Sequence, residues 1–166
     1  EEFAKQSPAL VTLWAAVREM AAATRAALGE ERLAWLRALP RVQTLSPIAV
    51  VHASPESPWR APGPEASDAE LERVYGPLGT PVAVYGHIHR PYIRSIAGMI
   101  VANSGAVSLS YDGDRRASYL LVDEGKPAIR RVEYDVNSEV RALLSCRLPH
   151  AAWVAGILES ARPQVP

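Results

Sequence analysis

The sequence predicts an α/β fold, and three observations carry that reading. Residues 8–39 are rich in Ala, Leu, Arg and Glu, with Leu10, Leu13, Trp14, Val17, Met20 and Ala21 recurring at the three- and four-residue spacing of an amphipathic helix. Two short apolar runs at 47–51 and 82–85, rich in β-branched residues, enclose a helix-like stretch at 67–74, so the chain from 48 to 85 reads as strand, helix, strand. After Tyr92 the pattern changes to short alternating runs separated by turn residues.

Composition narrows the classes of function. A chain of 166 residues that is 48% apolar can bury the core of one domain. Its 18 basic and 18 acidic residues cancel, which argues against bulk nucleic-acid or membrane-surface binding and for a local, chemically specific site; a nucleic acid would enter only as substrate. The single Cys146 excludes an internal disulfide and offers no thiolate cluster, so any metal is held by nitrogen and oxygen and a cytoplasmic setting is expected. No apolar run is long enough to span a bilayer.

Taken in order, Ser7 and Pro8 supply a cap and a first-turn proline for the opening helix, Gly29 interrupts it, and a second helix over 30–38 ends at Pro40. Trp14 and Trp35 are expected in the core. The run 47–51 then delivers His52 at its carboxyl end. Residues 54–67 hold four prolines and a glycine, too many breakers for a regular element. Loops of that length often line binding sites, which makes Trp59 and Arg60 candidates for substrate contact against the plainer reading of a solvated, proline-stiffened surface loop. Ser67 caps a helix that Gly76-Pro77 stops. Further strands are expected at 93–96, 99–102, 117–122 and 128–134, joined as an antiparallel meander through Ala97-Gly98, Asp112-Gly113-Asp114 and Glu124-Gly125-Lys126. A last helix fits 149–160, and His150 at its start reads as a surface residue. The chain thus divides into a helical segment (1–40), a motif-bearing α/β core (45–136) and a C-terminal helix (149–160).

The chemistry gathers at two strand ends. Val82 to Tyr85 reads as a buried strand that stops at Gly86, where a glycine lets the backbone turn sharply and approach a bound group. His87 and His89 follow at His-x-His spacing, and His52 ends the neighbouring strand of the same unit. Open α/β sheets bind ligands at the carboxyl ends of their strands, so the three imidazoles are expected in one cleft, where they could hold one divalent ion or contribute to a two-metal cluster. Arg90, beside them, could pair with a phosphate in bidentate fashion. Asn103, in the polar corner Asn103-Ser104-Gly105-Ala106, is a second candidate for substrate contact. Asp112 and Asp114 read as turn residues rather than ligands.

In this order and spacing, His52-Ala53-Ser54-Pro55, Tyr85-Gly86-His87-Ile88-His89, Asn103-Ser104-Gly105-Ala106-Val107 and Tyr111-Asp112-Gly113-Asp114 resemble the later half of a calcineurin-like metallophosphoesterase, most similar to its bacterial and archaeal phosphodiesterase-type branch. The resemblance covers residues 45–136. It implies a four-layer α/β/β/α sandwich and hydrolysis of a phosphate mono- or diester by a hydroxide bridging two divalent ions, manganese first, with iron, zinc or nickel as alternatives. His52 and His87 would bind one ion and His89 the other.

The same family draws its remaining ligands from earlier Asp-x-His, Gly-Asp and Gly-Asn-His-Asp boxes, and none of these occurs here. The chain is therefore expected to be the carboxyl-terminal portion of such an enzyme, one incomplete domain without its opening strands and inactive by itself. The corner also departs from the usual Asn-Pro-Gly-Ser. A competing class is a non-enzymatic scaffold or metal-binding module of the same fold, since some relatives have lost ligands; the three retained histidines favour the enzyme.

Overall fold

The computed structural model describes residues 8–166, so the cap expected at Ser7 lies outside the described residues. The chain divides into two compact units, residues 40–134 and a helical unit made of the chain before Pro40 together with 135–166.

The 40–134 unit is built on a five-stranded sheet. Its strands are β1 (Val42–Leu45), β2 (Ile48–Val51), β3 (Val82–Tyr85), β4 (Tyr92–Ile96) and β5 (Met99–Asn103), in the spatial order β1-β2-β3-β5-β4. The middle strands β2, β3 and β5 run parallel, with Val51 opposite Tyr85 and Tyr85 opposite Asn103, while β1 and β4 pair antiparallel at the edges. The helix α1 (Asp68–Tyr75) connects β2 to β3, which completes the strand, helix, strand unit. Ser67 caps it by accepting the Glu70 N–H at 3.2 Å.

Strand parity decides which residues meet the core and which meet the site. Because side chains alternate between faces, Val51, Ala83, Tyr85 and Val101 share a buried cluster with Leu71 and Tyr75 of α1. Ile48, Val50, His52, Val84 and Gly86 fall on the opposite face and line a cavity of about 730 Å³. A separate antiparallel hairpin, β6 (Ala117–Asp123) and β7 (Lys126–Val132), closes that cavity through Ser118, Leu120 and Val122.

Two features correct the expected meander. The turns are where the glycines place them: Ala97-Gly98 and Glu124-Gly125 both have two successive positive φ angles, the backbone of tight two-residue hairpins. The strands they join, however, do not form one meander. β5 lies between β4 and β3 and is parallel to β3, and β6–β7 forms its own two-stranded sheet. Turn chemistry fixes which neighbours in sequence pair, and says nothing about the non-local partner.

The helical unit contains α2 (Pro8–Ala38), α3 (Val136–Ser145) and α4 (Ala151–Ser160). Gly29 breaks α2 with φ 74 and ψ 167, as its place in the sequence suggests. α4 buries Val154, Ala155, Ile157 and Leu158. Trp14 and Trp35 of α2 do not join a core: they are 43% and 63% exposed. His150 is a surface residue with a partner, since its Nε2 lies 2.9 Å from the Glu19 carboxylate.

Candidate metal centre

His52 follows Val51, and its position is set by parity: two residues after Val50, it continues the cavity-facing register of β2. The turn that follows is held by buried phenols. Tyr75 Oη donates to the Ala53 carbonyl at 2.7 Å, and Tyr85 Oη donates to the Pro62 carbonyl at 2.8 Å; burial pushes both hydroxyls well above their usual pKa. Arg94 donates to the carbonyls of Ala66, at 2.5 Å, and Pro64. The proline-rich segment 54–67 is thus a surface loop whose Pro62, Pro64 and Ala66 carbonyls are held by Tyr85 and Arg94, which a reading of its breakers alone does not reveal.

The two histidine-bearing turns are tied together by the backbone, with the Gly86 N–H donating to the His52 carbonyl at 3.0 Å. Gly86 stands at this turn without a left-handed φ. A Cβ there would meet only the His52 carbonyl oxygen at 3.7 Å, an ordinary contact. The positive φ angles fall on the histidines themselves, 64° at His87 and 55° at His89. A left-handed non-glycine residue costs on the order of 1–3 kcal/mol and persists only where its surroundings enforce it, characteristically at functional sites.

Those surroundings also decide which ring nitrogen carries the proton. His87 Nε2 lies 3.1 Å from the Trp59 carbonyl oxygen, and His89 Nδ1 lies 2.9 Å from the Leu109 carbonyl oxygen. A carbonyl can only accept, so each of these nitrogens donates. In the neutral ring, His87 Nδ1 and His89 Nε2 are left with lone pairs. His87 Nδ1 accepts a hydrogen bond from His52 Nε2 at 3.2 Å, so His52 carries its proton on Nε2 and gives it up if that nitrogen takes an ion. His52 has its pKa lowered, chiefly by partial burial and then by the neighbouring His87 and His89. All three histidines line the 730 Å³ cavity, and the His89 ring lies against Tyr111, centroids 4.9 Å apart.

The other candidates are placed elsewhere. Arg90 does not line the cavity; its guanidinium pairs with the Glu65 carboxylate at 2.5 Å and holds that carboxyl below its ordinary pKa. Asn103 is fully buried with both ends of its amide committed: Nδ2 donates to the Gly86 carbonyl at 2.6 Å and Oδ1 accepts the Gly105 N–H at 2.9 Å. It positions the histidine turn instead of offering an amide to substrate. Its type gave a signal for this role, because an Asn whose side chain bonds the backbone two residues on makes an Asx turn. Arg60 lines a second, polar cavity of about 520 Å³ with Ser54, Ser57 and Arg73. Asp112 and Asp114 are spent on their turn and on Arg131 and Arg116. Among the described residues no three of His, Cys, Asp and Glu form a group that could hold one ion. A self-sufficient three-histidine centre is therefore not what the cavity presents.

The sequence matches the calcineurin-like phosphoesterase superfamily domain over residues 22–126. It is 29% identical over 149 residues to the uncharacterized protein MJ0912 of Methanocaldococcus jannaschii, an alignment covering 76% of this chain and 59% of that protein. Its fold is similar to that of a metallophosphoesterase from Sphaerobacter thermophilus, with TM-score 0.68 and 24% identity over 81% of this chain and 64% of the other. The hypothetical protein PH1004 of Pyrococcus horikoshii OT3 gives TM-score 0.67 and 23% identity over 79% of this chain and 54% of the other. This chain thus spans less than two thirds of the length of each. At such identities the solved structures speak for the fold, and the domain match speaks for descent: this chain belongs to the calcineurin-like phosphoesterase superfamily.

Proposed function

We propose that His52, His87 and His89 are metal ligands of a phosphoesterase site, with His52 Nε2 and His87 Nδ1 serving one divalent ion and His89 Nε2 a second. The observation that supports this most is the pair of carbonyl-anchored imidazoles. A ligating histidine characteristically donates its other ring N–H to a carbonyl or carboxylate, which fixes the tautomer and ring orientation. The spacing of His52 Nε2 and His87 Nδ1, 3.2 Å, also fits. Two donors each about 2.1 Å from one ion, at angles between square and tetrahedral, are roughly 3.0–3.4 Å apart. Manganese is the first candidate, with iron, zinc or nickel as alternatives.

When bound, divalent ions at such a site polarise the phosphoryl oxygens and lower the pKa of water for attack on a phosphate mono- or diester. The chain's own part is to hold and orient. Trp59 and Leu109 carbonyls lock two rings, and Asn103 fixes the turn that carries them.

The donor set bears on how far these residues go alone. Two cations held close together need a bridging carboxylate to offset their repulsion, and among the described residues no Asp or Glu lines the histidine cavity. These 166 residues should bind divalent manganese weakly and show no turnover of a bis-aryl phosphate. Calorimetry with manganese, on the chain and on its His87→Ala and His52→Ala variants, tests the ligand assignment. Binding abolished by either substitution is expected, and binding unchanged in both would refute it. Chelator-sensitive hydrolysis by this chain alone would refute the carboxylate argument.

A further inference from the structure

His89 is held by one short segment in three ways. Its Nδ1 donates to the Leu109 carbonyl at 2.9 Å, its own carbonyl accepts the Tyr111 N–H at 3.1 Å, and its ring lies against the Tyr111 ring. Leu109 takes up its position with a φ of 53°, a conformation that a branched side chain keeps only where its surroundings enforce it. The two residues before it, Val107 and Ser108, are exposed and give it little to lean on. The constraint falls to the ends of the loop.

Both ends are gripped by one cross-strand pair of the β6–β7 hairpin. Ser118 of β6 stands directly opposite Arg131 of β7, so their side chains leave the same face. Ser118 holds the entry to the loop: its Oγ donates to the Ser104 carbonyl at 2.9 Å and its N–H to the Ala106 carbonyl at 2.8 Å. Arg131 holds the exit. Its Nη2 donates to Asp112 Oδ2, and its Nη1 lies 3.7 Å from the Asp114 carboxylate. The Arg131 and Asp112 side chains are only 18% and 21% exposed, so this charge-assisted bond is screened less than a surface ion pair. Asp112 Oδ1 also accepts the Asp114 N–H at 3.2 Å, which closes the turn with the same carboxylate.

We infer that Arg131 is a positioning residue: through Asp112 it fixes the 109–111 segment that sets the tautomer and orientation of His89, with Ser118 as its counterpart at the other end of the loop. This rests on the metal-site reading for what the orientation serves, but the orientation itself is measured without metal.

Long-range nitrogen–proton correlation spectra of the metal-free chain test this, with Asp112→Asn and with Arg131→Met, which keeps an apolar stem and removes the guanidinium. His87 is the internal control, since its ring is set by the Trp59 carbonyl of another loop. In wild type His89 carries its proton on Nδ1. In both variants that signature is expected to give way to a mixture of the two tautomers while His87 stays protonated at Nε2, and Arg131→Lys is expected to restore part of it. Zinc affinity read at His89 Nε2 should fall by about ten-fold, the lower end of the loss that follows when the hydrogen-bond partner of a ligand is removed. An unchanged His89 tautomer in both variants overturns the proposal. So does an equal loss at His87, which would make the pair a general prop of the fold. If Arg131→Met does not fold, the milder Asp112→Asn decides by the same readout. A wild-type His89 protonated at Nδ1 that shows no zinc shift at Nε2 would overturn the metal reading and leave the clamp standing.

Discussion

At the carboxyl ends of β2, β3 and β5, side chains and backbone hold one another in place, whereas along α2 the large apolar side chains stand well into solvent. Asn103, Tyr75, Tyr85, His87 and His89 each bond a backbone carbonyl of another segment. Trp14 and Trp35 belong to as apolar a stretch, yet are 43% and 63% exposed. The difference lies in what each pattern commits. The end loops of the central parallel strands carry backbone carbonyls turned into the protein, and specific side chains satisfy them. A helical period declares only that one face is apolar. Conformational precision in this chain therefore concentrates where the chemistry is proposed to occur.

The sharpest way to break that contrast is Asn103→Ala. It leaves the Gly86 carbonyl and the Gly105 N–H without their buried partner, and a loss of about 3 kcal/mol in urea unfolding is expected. Gly105→Ala should come close behind, at about 2–3 kcal/mol. An added Cβ would lie 2.7 Å from Ser118 Oγ and 3.0 Å from the Pro91 Cβ, at a φ of 73° that already disfavours alanine. Tyr75→Phe removes one bond to the Ala53 carbonyl and should cost about 1 kcal/mol. Trp35→Ala, by contrast, should stay within about 0.5 kcal/mol of wild type, as exposed substitutions do. A Trp35 effect as large as that of Asn103 would erase the distinction between the two regions.

The smallest expected effect is electrostatic. The Arg116 side chain and N–H, with Arg131 beyond them, hold the Asp114 carboxyl well below the usual carboxylate range. A depressed folded-state pKa contributes stability that is present above the unfolded value of about 3.9 and is lost as pH falls below it. Asp114→Asn should therefore lower stability slightly at neutral pH and flatten the acid limb below about pH 4. Unchanged acid dependence in that variant would show that the group contributes nothing.

Much of the site's frame was legible because it rests on local signals. The apolar runs of β2 and β3, the Ser67 cap, the break at Gly29 and the two hairpin glycines each act within a few residues. β1 was missed because Val42-Gln43-Thr44-Leu45 is four residues with weak alternation. α3 was missed although Asp135 caps it through the Ser138 N–H at 2.9 Å, a signal that a search for capping residues could have found. What the sequence cannot express is non-local pairing. The insertion of β5 beside β3, the pairing of Arg90 with Glu65 and the committed amide of Asn103 all depend on segments distant in the chain. The left-handed conformations of His87 and His89 are illegible for a similar reason, since both rings are held by remote carbonyls.

The central claim is that remote carbonyls set the histidine tautomers so that His87 Nδ1 and His89 Nε2 present lone pairs to a metal. Long-range nitrogen–proton correlation spectra of the imidazole rings at neutral pH read this directly. The account predicts a protonated Nε2 at His87 and a protonated Nδ1 at His89, with added zinc shifting His87 Nδ1, His89 Nε2 and His52 Nε2. The opposite tautomers, or zinc shifts confined to the carbonyl-bound nitrogens, would contradict it.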